Sequence, residues 1–179
     1  MKRTIAIALA AMMALALFAA CGSEPAAEET QTPSAAPELT AEERAELYAN
    51  AITSARSDED NEAYGVMKTG DEIGEMYYQL LGFTAEDAEA MAMSVSLINV
   101  KAYGIAVIKP AEGSEETVRS GLESFISSQQ ASFEHYLADQ YEVALNAKLE
   151  TLDDGTIVMV MCEGQDEVFD AIVSAIEAA

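Results

Sequence analysis

The first residues to weigh as a reacting pair are a histidine and a cysteine. The chain offers one histidine, His135, and two cysteines, Cys21 and Cys162. A thiol becomes a nucleophile where an electropositive, partly exposed setting stabilises its thiolate. Cys162 instead closes the apolar run 157–162, which predicts a core cysteine, while His135 is expected on the surface of a long helix. Zinc needs three or four good ligands, which one His and one Cys do not supply without carboxylates. The serine-hydrolase patterns G-x-S-x-G and S-x-x-K are absent, as are the P-loop and G-x-G-x-x-G. Asp58-Glu59-Asp60-Asn61-Glu62 is the densest acidic run. A calcium loop counted from Asp58 needs Gly at its sixth position and Glu at its twelfth, where Ala63 and Thr69 stand. The run therefore reads as a solvated loop. Carboxylate pairs for glycoside hydrolysis do not stand out among 32 acidic residues. Tyr77-Tyr78 and the pair Tyr136 and Tyr141 read as packing residues rather than a ligand box. No catalytic, cofactor-binding or metal-binding residues are assigned.

The other cysteine carries more information. Lys2 and Arg3 precede an uncharged, proline-free stretch, residues 5–20, which ends in Leu17-Phe18-Ala19-Ala20-Cys21-Gly22. A basic head, an apolar middle and small residues before a cut site make a secretory signal. The apolar run is shorter than the roughly 20 residues a membrane-spanning helix needs, and an acidic, Pro-containing segment follows it. The stretch resembles a bacterial lipoprotein signal, with Phe18 where Leu is usual. That resemblance implies lipid attachment, palmitate included, to the Cys21 thiol and cleavage that leaves Cys21 as the first residue. Each buried methylene contributes ~0.8 kcal/mol, so two or three acyl chains hold firmly. The predicted location is the outer face of the cytoplasmic membrane, with Cys21 as the lipidation site.

Removal of Lys2 and Arg3 leaves 7 of the 9 basic residues against 32 acidic ones, a net charge of −25. Phosphate backbones repel such a chain, which disfavours nucleic acid, and anionic head groups repel it too. The lipid rather than the protein surface then holds it at the membrane. With Cys21 used by lipid, Cys162 has no partner for an intrachain disulfide. Residues 22–38 contain three of the four prolines and no large apolar side chain, so they read as a disordered tether. Its root-mean-square span is roughly 20–25 Å. Three segments result: signal peptide 1–20, lipidated Cys21 with tether to 38, and one globular domain over 39–179.

Periodicity places the elements of that domain. Thr40-Ala41-Glu42-Glu43 is a capping-box pattern, and Leu47, Tyr48, Ala51, Ile52 and Ala55 follow at helical spacing as far as about Arg56. A second helix is predicted over Asp71 to Leu81 with Gly82 as its stop. Thr84-Ala85-Glu86-Asp87 offers a cap for a short helical turn. Met91, Met93, Val95 and Leu97 alternate with small or polar neighbours, the pattern of a half-buried strand. Tyr103 to Ile108 reads as a deeper strand closed by Pro110 and Gly113, joined to the first through the short link Asn99–Ala102. The longest helix is predicted over Glu115–Leu137 with Ser114 as cap. Val143, Leu145, Ala147 and Leu149 read as a third strand, and Asp154-Gly155 as a type I′ hairpin turn. Residues 157–162 form a central strand, and Val168, Phe169, Ile172, Val173 and Ile176 define a closing helix. The order after residue 90 is β-β-α-β-β-α: an α+β fold, an antiparallel sheet with helices on one face, preceded by N-terminal helices.

Ser132-Phe133-Glu134-His135-Tyr136-Leu137-Ala138-Asp139-Gln140-Tyr141 resembles the signature of an uncharacterised family of clostridial-type envelope lipoproteins, the domain of unknown function 4358. The pattern is an F-x-x-Y segment ending a long helix, a Gln-Tyr pair, a strand, a glycine turn and an apolar strand. Asn99-Val100-Lys101-Ala102 before an apolar strand also fits, and the likeness covers roughly residues 65–178. Ala138 stands where proline is common, and Asp154-Gly155-Thr156 replaces a Gly-Asn-Tyr-like turn. The resemblance implies an envelope lipoprotein and brings no catalytic residues. The expected function is a noncatalytic binding or accessory module, anchored through Cys21, whose partner is a protein or component of the envelope. The alternative is an enzyme or accessory enzyme of envelope polysaccharide modification, which the family's association with membrane O-acyltransferase genes implies.

Overall fold

The computed structural model of the protein describes residues 39–179. The predicted signal peptide, Cys21 and the tether lie outside the described residues. Among the described residues no helix is long and apolar enough to cross a membrane.

Helix α1 (Ala41–Ala55) starts where the sequence puts it. The Thr40 hydroxyl accepts from Glu43 N at 3.2 Å, and the Glu43 carboxylate accepts from Thr40 N at 2.9 Å, so two orphan donors are satisfied reciprocally. The acidic run that reads as a loop is a second helix, α2 (Asp58–Ala63), capped by Ser57. Its three first-turn carboxylates lie at the positive end of the helix dipole, which favours the helical form. Strand β1 (Met67–Lys68) is short, and helix α3 (Glu75–Leu81) starts later than the predicted Asp71. Asp71 is instead held in a turn: its carboxylate accepts from Lys68 N, and its own N–H donates to Lys68 O.

After a 3-10 turn at Ala85–Asp87 come strands β2 (Ala88–Val95) and β3 (Gly104–Pro110), then helix α4 (Glu115–Phe133). Helix α4 ends at Phe133, short of the predicted Leu137, and a further helix, α5 (Ala138–Leu145), occupies the start of the strand predicted from Val143. Only at Lys148 does strand β4 (Lys148–Thr151) begin. Two periods compete in this segment. Val143, Leu145 and Ala147 alternate, but Leu137, Gln140, Tyr141 and Ala144 recur at helical spacing. The helical set wins, since Gln140 and Ala144 are buried while Leu145 is left exposed. Strand β5 (Ile157–Met161) and helix α6 (Gln165–Glu177) complete the chain. The Asp154-Gly155 hairpin is present with a longer loop than a two-residue type I′ turn. Leu152 N donates to Thr156 O and Gly155 N donates back to Leu152 O, with Gly155 at φ 84°.

The five strands form one antiparallel sheet in the order β1-β2-β3-β5-β4, so the α+β architecture stands. The helices cover both of its faces rather than one. Met91, Met93, Ala106, Ile108, Ile157 and Met159 pack with Val118, Leu122 and Phe125 of α4. Their strand neighbours Ala90, Ala92, Ile105, Val107, Val158 and Val160 pack with Tyr48 and Ile52 of α1 and with Phe169 and Ile172 of α6. The small residues alternating with methionine in β2 therefore do not face water. They make a shallow surface on which α1 lies close, and burial on both faces follows.

Two glycines set the approach of α3 to α4. Gly82 ends α3 at φ 78°, and a Cβ on Gly121 of α4 would come within 2.5 Å of Leu81 O and 2.8 Å of Gly82 O. Backbone meets backbone here, so no flexible side chain can yield. Gly121→Ala is expected to destabilise the domain by about 2–4 kcal/mol in thermal or denaturant unfolding. Gly65→Ala, where an added Cβ meets nothing within 4 Å, should stay within about 0.5 kcal/mol of the parent.

Candidate functional site

One end of the sheet carries the loop between β2 and β3. Leu97 continues the alternation Met91, Met93, Val95 and is predicted inward. The chain leaves the sheet at Ser96 instead, and Leu97 (45 %), Ile98 (68 %) and Val100 (66 %) are exposed, as is Met76 of α3 (59 %). Exposed apolar side chains grouped in this way mark interaction surfaces more than isolated ones do. Between α3, α4 and the loop lies an open groove of about 430 Å³, lined by Met76, Leu80, Leu97 and Ile98 with Gln79, Asn99, Gln129 and other uncharged residues.

The loop is held from both sides. Within it, Ile98 N donates to Ser96 Oγ at 3.2 Å and Val100 N to Ile98 O at 2.9 Å. From the α4–α5 connection, the Tyr136 hydroxyl donates to Asn99 O at 3.0 Å. Gln140, 6 % exposed, accepts from Ala102 N at 2.9 Å. Phe133, one turn earlier, is fully buried and packs near the Tyr136 ring, with centroids 5.8 Å apart. The F-x-x-Y and Gln-Tyr residues of the signature therefore have a physical task. They anchor the α4–α5 connection in the core and satisfy two backbone groups of the apolar loop.

On the opposite face the roots of the loop meet a buried guanidinium that the sequence marks only as a helix end. Arg56 Nη1 donates to Ser94 Oγ at 2.6 Å and to the Tyr103 hydroxyl at 2.7 Å. Tyr64 stacks on Tyr103, with ring centroids 3.9 Å apart and planes within 16°. Burial pushes the Tyr103 hydroxyl above the ordinary phenol range, although the hydrogen bond from Arg56 opposes the shift. Beside these groups a second cavity, of about 530 Å³, is lined by Glu59, Asp60, Glu163 and Glu167 with a single Lys101. Lys101 Nζ lies 4.0 Å from Glu163 Oε1.

The structure does not bring His135 and Cys162 together. His135 lies between α4 and α5 with its side chain 83 % exposed, beside Glu134 at 3.6 Å. Cys162 is buried in the core under α1 and α6, on the other face. Desolvation pushes its thiol up to about 12, the reverse of what a nucleophile requires. Among the described residues no group of three or more His, Cys, Asp or Glu is placed to hold a metal ion. Tyr77, Tyr78 and Tyr141 pack against the α4 core as their sequence context predicts, whereas Tyr136 serves the loop.

The family model described as Domain of unknown function (DUF4358) matches residues 59–162, from α2 through β5, and so includes the loop and the residues that hold it from the α4–α5 side. No curated protein and no solved structure matches the chain.

The buried Cys162 thiol also sets an alkaline limit on stability. Its folded pKa lies above the unfolded value near 9, so its contribution is complete below about pH 9. That contribution is lost as pH rises toward 12, because the unfolded chain releases a proton that the folded chain keeps. The buried Tyr48 and Tyr103 hydroxyls, also raised by burial, act in the same direction. Unfolding free energy is expected to fall across pH 9–12, at up to about 1.4 kcal/mol per pH unit from the Cys162 thiol, with the two tyrosines steepening the fall in its upper part. Cys162→Ala should flatten that slope in denaturant titrations at each pH.

Proposed function

The chain belongs to the DUF4358 family, and from that premise we propose that it is an extracytoplasmic lipoprotein of the clostridial type whose domain is a noncatalytic binding or accessory module. Cys21 is the lipidated residue, the segment before it the signal peptide, and residues 22–38 the tether that carries the domain off the bilayer. The observation that carries the binding reading is the apolar loop, whose Leu97, Ile98 and Val100 side chains are exposed while Tyr136 and Gln140 hydrogen-bond its backbone and Arg56 holds the flanking Ser94. A loop with satisfied backbone groups can expose apolar side chains without collapsing onto the core. A partner that covers them gains their burial without the cost of ordering the loop. The buried, proton-retaining Cys162 also argues against thiol chemistry.

The second reading, an enzyme or accessory enzyme of envelope polysaccharide modification, draws on the cavity in which Glu59, Asp60, Glu163 and Glu167 converge. A general acid is raised in pKa by an apolar, water-poor site, whereas the Glu163 side chain is 66 % exposed and pairs with Lys101. The binding reading therefore takes precedence.

Two experiments test the proposal. With labelled palmitate, the parent protein is expected to take up label and fractionate with membranes. Cys21→Ser should lose both properties; a variant that keeps its label would remove Cys21 as the anchor. Crosslinking in intact cells, read by mass spectrometry, is expected to enrich one envelope component. Turnover of a wall polysaccharide that disappears in Glu167→Gln would reverse the order of the two readings.

A further inference from the structure

We propose that the edge of strand β2 that β1 leaves uncovered takes an extended, uncharged segment of another extracytoplasmic protein as an added strand. The inference rests on the binding reading above and adds the place and the backbone geometry of the contact.

Strand β1 covers only part of its neighbour. Its two residues pair Met67 with Met93 and Lys68 with Ala92, whereas β2 pairs with β3 as far as Val95 and Gly104. Thr69 N donates to Met91 O on the β1 side. Backbone groups alternate between the two edges of a strand, so those of Met93 and Val95 turn to that same side. Continuing the register would set Gly65 against Val95, yet among the described residues no hydrogen bond joins the two. Val95 is 7 % exposed, and on that side its N–H and C=O have no backbone partner. Buried backbone groups are nearly always paired, so an added strand has a place to pair. A cavity of about 520 Å³ lies along this edge, lined by Tyr64, Gly65, Met67, Tyr77 and residues 95–98. Tyr64 packs with the α1 side of the core, and Met67 and Tyr77 with the α4 side. The cavity therefore straddles the edge of the sheet rather than either face. It shares Ser96, Leu97 and Ile98 with the groove between α3, α4 and the loop. Neither has a charged lining residue, in a chain with a net charge of −23. An extended chain offers a donor and an acceptor at every second residue, and its side chains alternate into pockets on either side. Without charges of its own, such a segment leaves no unpaired charge against this lining.

Three other occupants fit less well. A helix spends its backbone groups internally and leaves those of Val95 unpaired. Residues 22–38 of this chain contain no large apolar side chain to fill the cavity or the groove. A second copy would offer its other edge strand, β4, which brings Lys148 and Glu150 against an uncharged lining.

The test uses the lipidated protein in nanodiscs of zwitterionic lipid, panned against a displayed library of random dodecapeptides. Enriched peptides are expected to lack charged residues and to keep their affinity as salt is raised. Single N-methyl groups placed along the tightest peptide should weaken it at least ~10-fold at alternate residues, those that pair with the edge, and spare the residues between. Gly65→Glu, at a site where an added Cβ meets nothing within 4 Å, sets a charge in the cavity. It should cost a similar factor without loss of thermal stability, and Ile98→Glu at an exposed site serves as a second disruption. N-methyl effects that are absent, or that recur every third or fourth residue, would overturn strand addition while leaving the binding reading in place. So would salt-sensitive charged peptides, peptides indifferent to both variants, or no enriched peptide while a partner crosslinks in cells. An Ile98-dependent dimer would overturn it in favour of self-association. No enriched peptide together with no crosslinked partner in cells would sink the binding reading itself.

Discussion

Arg56 is the interaction on which the arrangement depends. Its guanidinium is buried (8 % exposed) and forms no ion pair among the described residues. Every partner is neutral: Asn61 Oδ1 at 2.7 Å, Ser94 Oγ at 2.6 Å, the Tyr103 hydroxyl at 2.7 Å and Tyr64 O at 2.6 Å. A desolvated cation costs several kcal/mol, so this site holds only while the acceptors stay in place around the planar fork. Each hydrogen bond to the charged group contributes about 1.5–3 kcal/mol. The four acceptors come from α2, the segment before β1, strand β2 and the residue that leads into β3. One side chain thereby ties the end of α1 to four other parts of the fold. Lysine, with a compact ammonium on a flexible stem, offers no equivalent fork.

The consequence for function lies in which residues Arg56 holds. Ser94 and Tyr103 flank the β2–β3 loop, so the loop begins and ends on a fixed base. Gln140 and Tyr136 then satisfy its backbone from the other face of the sheet. Polar groups at the base and apolar groups at the tip divide the work: the base fixes the conformation, the tip stays available. The two-sided core makes this division workable, since both sets of restraints start from elements buried against the sheet.

Much of the fold is legible in the sequence. The Thr40–Glu43 capping box, the all-apolar β5 and the amphipathic α6 appear where spacing predicts them, and Cys162 is buried as its run implies. The failures have physical causes. Ala92 and Ser94 read as a solvent face because small residues tolerate water, yet both are buried, and Ala92 with Ala90 forms the bed for α1. The segment from Ala138 to Leu145 satisfies two periods at once, and only tertiary packing decides between them. The site was the least visible part. Leu97 is in phase with the buried residues of β2, so its exit from the sheet leaves no mark in the pattern. Arg56 gives no sign in sequence that its acceptors lie as far along the chain as Tyr103. The signature around Tyr136 and Gln140 did point to the correct region, without saying that its task is to hold a loop.

The measurement that bears most directly on this account is backbone 15N relaxation across residues 96–103. A loop held by Arg56, Tyr136 and Gln140 should show order parameters close to those of the adjoining strands, about 0.85. Values below about 0.6 over Leu97–Val100 would mean that the apolar tip is mobile, and would contradict a preformed docking surface.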